Sequence, residues 1–400
     1  MVDTPDWGHA VELDDIAGAV SIVGIGETAF TKASGRTATE IGAEAAERAI
    51  ADAGLIPDQI DGLTYSGAFA GFGPADFHAH FGTNHELWSS PWGGGMAWAG
   101  TAPYLAAKAI AAGDATHVLN VFPVAWATQR AEMTGGPGEV HAQQSLKQNL
   151  EVPFGWFPQP IYFATIMQRY MHEYGTTREQ FGAVAVTLRD HANRTPGAVF
   201  HDKAMSIDDY LAAPMLADPL CLFDSCPISD GGGAYVVTST ERARDLRADP
   251  VVVLGVGEGY SATGTHWSQQ RAFTSTPQVF AAPHAWRMAG ITPADVDVLT
   301  CYDPFTVVSL MQLEDMGFCE KGDAGALAQS GALRFDSQQI PYNTHGGLLS
   351  HAYVLGIAHV IECVQQLRGS AGAQVAGCEV AAYGGYTGHM ASTLVLGRDR

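Results

Sequence analysis

The stretch Val20-Ser-Ile-Val-Gly-Ile-Gly-Glu27 returns later in the chain as Val251-Val-Val-Leu-Gly-Val-Gly-Glu258. Each is a short β-branched run closing on Gly-x-Gly-Glu, which reads as a buried strand broken by a glycine turn. A second shared signal follows each run. After the first come Ala45-Ala-Glu-Arg-Ala-Ile-Ala-Asp-Ala-Gly54, Pro57 and then Asp61-Gly-Leu63-Thr64. After the second come Ala285-Trp-Arg-Met-Ala-Gly290, Pro293 and then Asp297-Val-Leu299-Thr300. Both read as an amphipathic helix closed by a glycine, a proline that bars its continuation, and a further strand. One strand–helix–strand unit used twice means parallel strands with helices on the faces of an α/β sheet.

Each half adds one more helix–strand pair. An Ala-rich helix over 100–113 precedes a strand over 116–122, and a long helix over 348–367 precedes a strand over 376–383. Closing strands are expected at 233–237 and 391–396. Between about 125 and 215 the chain has no counterpart in the second half, which reads as an insertion shaped as a lid over the site. The expected division is an acidic tail over 1–17, a first half over 18–247 and a second half over 248–400.

Of the 400 residues, 46% are hydrophobic and 16% charged. That is too apolar for a disordered chain and too weakly charged for a coiled coil. Lys and Arg number 21 against 42 Asp and Glu, a formal net charge of −21. So acidic a chain repels phosphate backbones and anionic lipid, which argues against nucleic-acid and membrane-surface roles. No apolar run approaches the ~18 residues of a membrane-spanning helix. The acidic start, without Lys or Arg before residue 17, does not read as a signal peptide. Cys221, Cys226, Cys301, Cys319, Cys363 and Cys378 form no CxxC pair and read as buried thiols of a reducing cytoplasm. His78 and His80 lack an evident third ligand, so no metal site is expected. Gly24-Ile-Gly26 lacks the third glycine of a dinucleotide fingerprint.

Four local stretches carry more specific information: Ser225-Cys-Pro-Ile-Ser-Asp-Gly-Gly-Gly-Ala234, Tyr302-Asp-Pro-Phe305, Asn343-Thr-His-Gly-Gly-Leu-Leu-Ser350 and Gly384-Gly-Tyr-Thr-Gly388. With the repeat, they resemble the thiolase superfamily in its sterol-carrier and lipid-transfer branch. The corresponding segments there read CCPxSDGAAA, HDCF (NEAF in thiolases proper), NxxGGLLS and a C-terminal glycine-rich turn. The resemblance implies a duplicated thiolase fold of five layers, α-β-α-β-α, with the insertion in the first half. It also implies coenzyme A as part of the substrate, with no separate cofactor.

The departures from that pattern bear on the chemistry. Thiolases attack with a Cys at the start of the first-half buried helix, a place that falls on Met96 here, give or take one residue. A thioether cannot become a thiolate, so no acyl-enzyme forms at that place. The catalytic His that follows GGLLS in the family is replaced by Tyr353. The second family Cys falls on Ala382 or Tyr383, and the first residue of HDCF is Tyr302. A phenol, with a pKa near 10, donates a proton to an enolate or, if activated, takes one. Tyr353 is expected just inside the helix after Gly346 and Gly347, whose positive end would lower its pKa. Tyr302 is expected at the end of the strand over 296–301, where α/β sheets present ligands.

An aldol step needs no acyl-enzyme. The chain resembles the lipid-transfer-protein-type aldolases of bacterial sterol degradation. This implies retro-aldol cleavage of a steroid β-hydroxyacyl-CoA to a ketone or aldehyde plus propionyl-CoA or acetyl-CoA. It also implies a homodimer joined by a small DUF35 (OB-fold) partner into a cytoplasmic heterotetramer. Tyr302, Tyr353 and His351 are then the candidate catalytic residues, with Asp303 as an orienting group. His345 and His351, each taken alone, also read as loop hydrogen-bonders. Gly346, Gly347 and Gly385 are candidates to contact the CoA moiety, and Arg169, Arg178, Arg189 and Arg194 to hold its phosphates. Trp88, Trp92, Trp98, Phe154, Trp156 and Phe157 read either as the lining for a flat apolar substrate or as core. Left open are which tyrosine is the base, an acyltransferase with another nucleophile, and a catalytically silent lipid-carrying subunit.

Overall fold

The computed structural model describes residues 5–67, 69, 71–129, 147–263 and 267–399. Part of the expected insertion, 130–146, lies outside them. In chain order the first half carries β1 (Gly8–Ala10), β2 (Val20–Glu27), α1 (Ala38–Asp52), β3 (Gly62–Thr64), α2 (Pro74–Phe81), β4 (Trp88–Ser90), α3 (Ala97–Ala112) and β5 (His117–Ala125). Next come α4 (Gln159–Tyr174), α5 (Arg178–Arg194) and a small antiparallel pair, β6 (Met215–Ala217) with β7 (Leu220–Cys221). Then follow β8 (Asp230–Ser239), β9 (Val251–Ser261), α6 (Gln278–Ala289), β10 (Val298–Cys301), α7 (Thr306–Asp315), α8 (Gly347–Ser350), α9 (Ile357–Arg368), β11 (Val380–Tyr386) and β12 (Met390–Arg398).

The strands run in the order β10-β11-β12-β9-β2-β8-β5-β3-β4, with β1 beside β9. Read outward from the middle, this is one order used twice: β2-β8-β5-β3 and β9-β12-β11-β10. Each copy starts from one of the repeated runs. The pairs β8–β5 and β12–β11 are antiparallel, whereas β3–β5 and β10–β11 are parallel. The halves meet where Ser21 opposes Val252 and Ile22 opposes Val251. Helix α1 lies on first-half strands and α6 on β9 and β12, while α3 and α9 each touch strands of both halves. The layers are therefore α-β-α-β-α. A helix packed between the two halves of this sheet must be largely apolar and slim. Ala97, Ala99, Ala102 and Ala106 of α3 are buried, and a Cβ on Gly100 would collide with Ser392 Oγ.

Two local expectations are corrected. The repeated glycines do not end their strands, since β2 continues to Glu27 and β9 to Ser261. A Cβ on Gly24 would strike the Ala49 carbonyl, and one on Gly257 the Ala281 carbonyl. These glycines let α1 and α6 lie directly on the strands. The long helix expected over 348–367 is also broken: α8 stops at Ser350 and α9 starts at Ile357. Leu355 and Gly356 take φ of 49° and 83°, and the Leu355 carbonyl accepts the Met96 N–H. Residues 351–356 are thus drawn across to the start of α3, and they carry Tyr353.

Candidate active site

Strand β10 ends at Cys301, and Asn343 caps that end. Its Oδ1 accepts the Cys301 N–H at 2.8 Å, and its Nδ2 donates to the Cys301 carbonyl at 3.0 Å. Asn343 sits at φ 44°, a left-handed conformation that asparagine tolerates better than most residues. The next residue on the strand side is Tyr302. Its N–H donates to the Gly384 carbonyl at 2.8 Å, and its own carbonyl accepts from Gln312 Nε2 at 2.7 Å. Both backbone groups are held, so the ring leaves the strand end in a defined direction.

Tyr353 approaches from the break between α8 and α9. Its N–H donates to Ser229 Oγ at 3.3 Å, and its ring packs on Trp126 with centroids 5.1 Å apart. Tyr302 and Tyr353 lie within side-chain interaction range of each other. Burial raises both phenols above their ordinary range. The expected lowering of Tyr353 by a helix N-terminus does not occur. Tyr353 lies beyond the end of α8, and the α8 N–H groups of Leu348 and Leu349 are taken by the Asp303 carboxylate, at 2.8 and 3.4 Å.

Cys226 lies within electrostatic reach of both phenols. Burial and the neighbouring Asp303 hold its thiol well above the usual range, so it stays protonated and is a poor nucleophile. A cavity of about 290 Å³ opens here, with Lys32, Arg189, Phe200, Cys226, Leu349 and Ser350 in its wall. Arg189 Nε donates to Ser350 Oγ at 3.0 Å, and its guanidinium lies 4.1 Å from the Phe200 ring centroid. Lys32 Nζ lies 5.9 Å from the same centroid. Two cations thus lie over one aromatic ring in the wall of this cavity.

Comparison with known proteins shows which family the chain joins. Residues 259–398 match the family described as Thiolase C-terminal domain-like. The 17-hydroxy-3-oxo-4-pregnene-20-carboxyl-CoA lyase of Mycobacterium tuberculosis is 36% identical over 96% of this chain and 100% of its own. The steroid side-chain-cleaving aldolase of Thermomonospora curvata is 35% identical over 96% of this chain and 99% of its own. The chain belongs to the thiolase-like steroid side-chain-cleaving aldolase family. The solved Ltp2-ChsH2(DUF35) aldolase of that family superimposes with a TM-score of 0.87 at 35% identity, covering 96% of this chain and 99% of that one.

Against this aldolase background the other expected site residues separate. Met96 caps α3 at φ 53°, and Tyr383 donates its hydroxyl to the Met96 carbonyl at 2.8 Å. The third tyrosine is thus tied to the helix start. His351 is buried, its ring meeting Phe30 at 4.7 Å and His345 at 5.0 Å. Burial, then His359, lowers its pKa to about 3, so it is neutral. A Cβ on Gly347 would collide with the Asp303 carboxylate, one on Gly346 with Ala192, and one on Gly385 with Ala97. All three glycines make room for packing around the tyrosine-bearing segments.

Arg189 alone of the four candidate arginines lines the cavity. Arg169 pairs with Glu173 at 2.6 Å and, with Arg271, lines a separate open groove of about 830 Å³. Arg178 donates to the Leu211 carbonyl and lies over the Tyr210 ring, and Arg194 pairs with Asp190. Of the aromatic candidates, Trp92 and Trp98 border a surface pocket with Pro91, Trp156 packs on Tyr162 and Phe273, and Phe154 is 82% exposed. On α2, His78 bonds Thr83 and His80 bonds Glu47. Among the described residues no group of three or more His, Cys, Asp or Glu is placed to hold a metal. No described helix is long and apolar enough to cross a membrane. Lys32 and Cys226 were missed by sequence reasoning. Cys226 had a signal, its place in the Ser225-Cys-Pro stretch, whereas Lys32 had none.

Proposed function

We propose that the chain cleaves the side chain of a steroid β-hydroxyacyl-CoA by a retro-aldol reaction, with Tyr302 and Tyr353 as its proton-transfer pair. The observation that carries the reading is the approach of two un-ionised phenols, Tyr302 buried and Tyr353 half-buried. A neutral phenol takes a proton only while giving up its own. The substrate hydroxyl proton passes to the Tyr302 oxygen as the Tyr302 proton passes to Tyr353. The Tyr353 proton is delivered to Cα. Meanwhile the Cα–Cβ bond breaks, its electron pair forms the thioester enolate, and the alkoxide carbon becomes a carbonyl. The products are a ketone or aldehyde and propionyl-CoA or acetyl-CoA, with no proton left over.

Lys32 and Arg189 suit the anionic CoA portion, which an acidic chain must hold by local positive charge. Coenzyme A enters as part of the substrate and no further cofactor is needed. The family relative solved with a DUF35 protein supports a DUF35 partner for this chain. We extend this to a cytoplasmic heterotetramer built on a homodimer, and the mass of the co-purified complex by light scattering tests it.

The decisive experiment follows steroid carbonyl release from a β-hydroxyacyl-CoA by the purified complex. Tyr302→Phe and Tyr353→Phe are each expected to lower kcat by about 10²–10⁴-fold. Retained turnover in both variants removes the tyrosine assignment. An acylated Cys226 found by mass spectrometry favours an acyltransferase instead, and no turnover by the wild-type complex favours a lipid-carrying subunit.

A further inference from the structure

We propose that Asp303 and His359 form a positioning pair that holds Tyr302 and Tyr353 in register with each other. The proposal rests on the tyrosine reading above. Asp303 follows Tyr302 directly and is fully buried. Its Oδ1 accepts the Leu348 N–H at 2.8 Å and His359 Nε2 at 2.9 Å, and its Oδ2 accepts the Leu349 N–H at 3.4 Å. Leu348 and Leu349 lie before Tyr353 in the chain, and His359 lies after it. One carboxylate, anchored to Tyr302, therefore grips both flanks of the segment that carries the second phenol.

That grip is needed because residues 351–356 are neither helix nor strand. Helix ladders that would fix Tyr353 stop at Ser350 and resume at Ile357. Hydrogen bonds to an ionised carboxylate are roughly twice as strong as neutral ones, so a buried Asp303 with these donors is a stiff joint. His359 is committed to it. Its ring is fully buried, Nε2 binds Asp303, and Nδ1 has no partner. The ring lies 4.5 Å from His345 and 6.0 Å from Tyr383, centroid to centroid. A buried imidazole with an idle nitrogen is unfavourable for stability alone, which points to a use at the other nitrogen. Neither residue is placed to touch substrate by these contacts; the pair acts through the tyrosines.

The test compares His359→Leu, which removes the donor, with His359→Gln, whose amide N–H can reach the same carboxylate. Both are assayed as the complex with its partner. His359→Leu is expected to lower kcat on the order of 100-fold, the effect of a small misplacement of reacting groups. The KM for the acyl-CoA should stay within about threefold, since binding contacts are untouched. His359→Gln should recover most of that loss. Affinity for an unreactive analogue lacking the β-hydroxyl should be the same in all three proteins. The pair is overturned if His359→Leu keeps wild-type kcat, if both variants lose activity equally, or if His359→Leu fails to fold, which assigns the histidine to the fold. If Tyr302→Phe and Tyr353→Phe both retain turnover, the underlying reading has fallen. If they lose it and His359→Leu does not, only the positioning pair has.

Discussion

A phenol raised above its ordinary range keeps its proton at neutral pH, and Tyr302 and Tyr353 are both in that state. The pH dependence of the reaction follows. A phenolate base would make kcat climb about tenfold per pH unit below its pKa. A concerted exchange between two neutral phenols makes kcat level across roughly pH 6 to 9. His351, with its pKa lowered to about 3, and His345, lowered well below its ordinary value by burial, add no inflection in that window. Measured kcat against pH on folded complex, with a steady climb toward alkaline pH, would sink the neutral exchange and favour an ionised tyrosine. Residue identity at these places was legible in the sequence, because Tyr302 and Tyr353 stand in recognisable motif frames. Their mutual contact and protonation were not, because burial and neighbours set a pKa.

The break between α8 and α9 is the element on which the site depends. Its turn is made at Gly356, at φ 83°, where a Cβ would meet the Tyr383 hydroxyl and come within 3.5 Å of the Tyr302 ring. Gly377 offers a control, with φ 70° and open space where its Cβ would be. Gly377→Ala carries backbone strain alone, about 1–2 kcal/mol. Gly356→Ala adds the collision, so a loss of about 2–4 kcal/mol is expected, together with reduced kcat. Thermal or denaturant unfolding of the two variants measures the difference. Equal losses, with kcat unchanged in Gly356→Ala, would show that the turn does not set the site.

At the scale of the whole molecule, buried titratable groups shape stability against pH. Glu362 is 1% exposed and accepts hydrogen bonds from Thr344 Oγ1 and Gln366 Nε2. Burial still raises its pKa to about 7, and burial with the nearby Glu362 raises Glu27 to about 8. An unfolded chain ionises these carboxyls near the model value of 4.5. Between that value and the folded pKa the unfolded state binds fewer protons, so stability falls as pH rises. His191, lowered to about 4, and His351 act oppositely, so their contribution is lost as pH falls below the ordinary histidine value of 6.5. Glu362→Gln should therefore flatten the fall in unfolding free energy from weakly acidic to alkaline pH, by on the order of 3 kcal/mol. Urea unfolding at both ends of that range measures it, and an unchanged slope rules Glu362 out as its source.

The sequence by itself determined the duplicated strand–helix–strand unit, the apolar central helix α3, the thioether of Met96 where the family has a thiol, and the phenols Tyr302 and Tyr353 at the other motif positions. These are local properties, carried by apolar periodicity, glycine and proline punctuation, and short motif frames. Tertiary structure alone decided that the repeated glycines serve helix-on-strand contact, that the chain breaks at 351–356, that Lys32 joins Cys226 in one cavity wall, and that His359 meets Asp303. In 348–364 the polar residues Ser350, His351, His359 and Glu362 are buried along with the apolar ones, so no apolar period announces the break. His359 and Asp303, 56 positions apart, meet because two layers pack against each other, and sequence spacing holds no record of that distance.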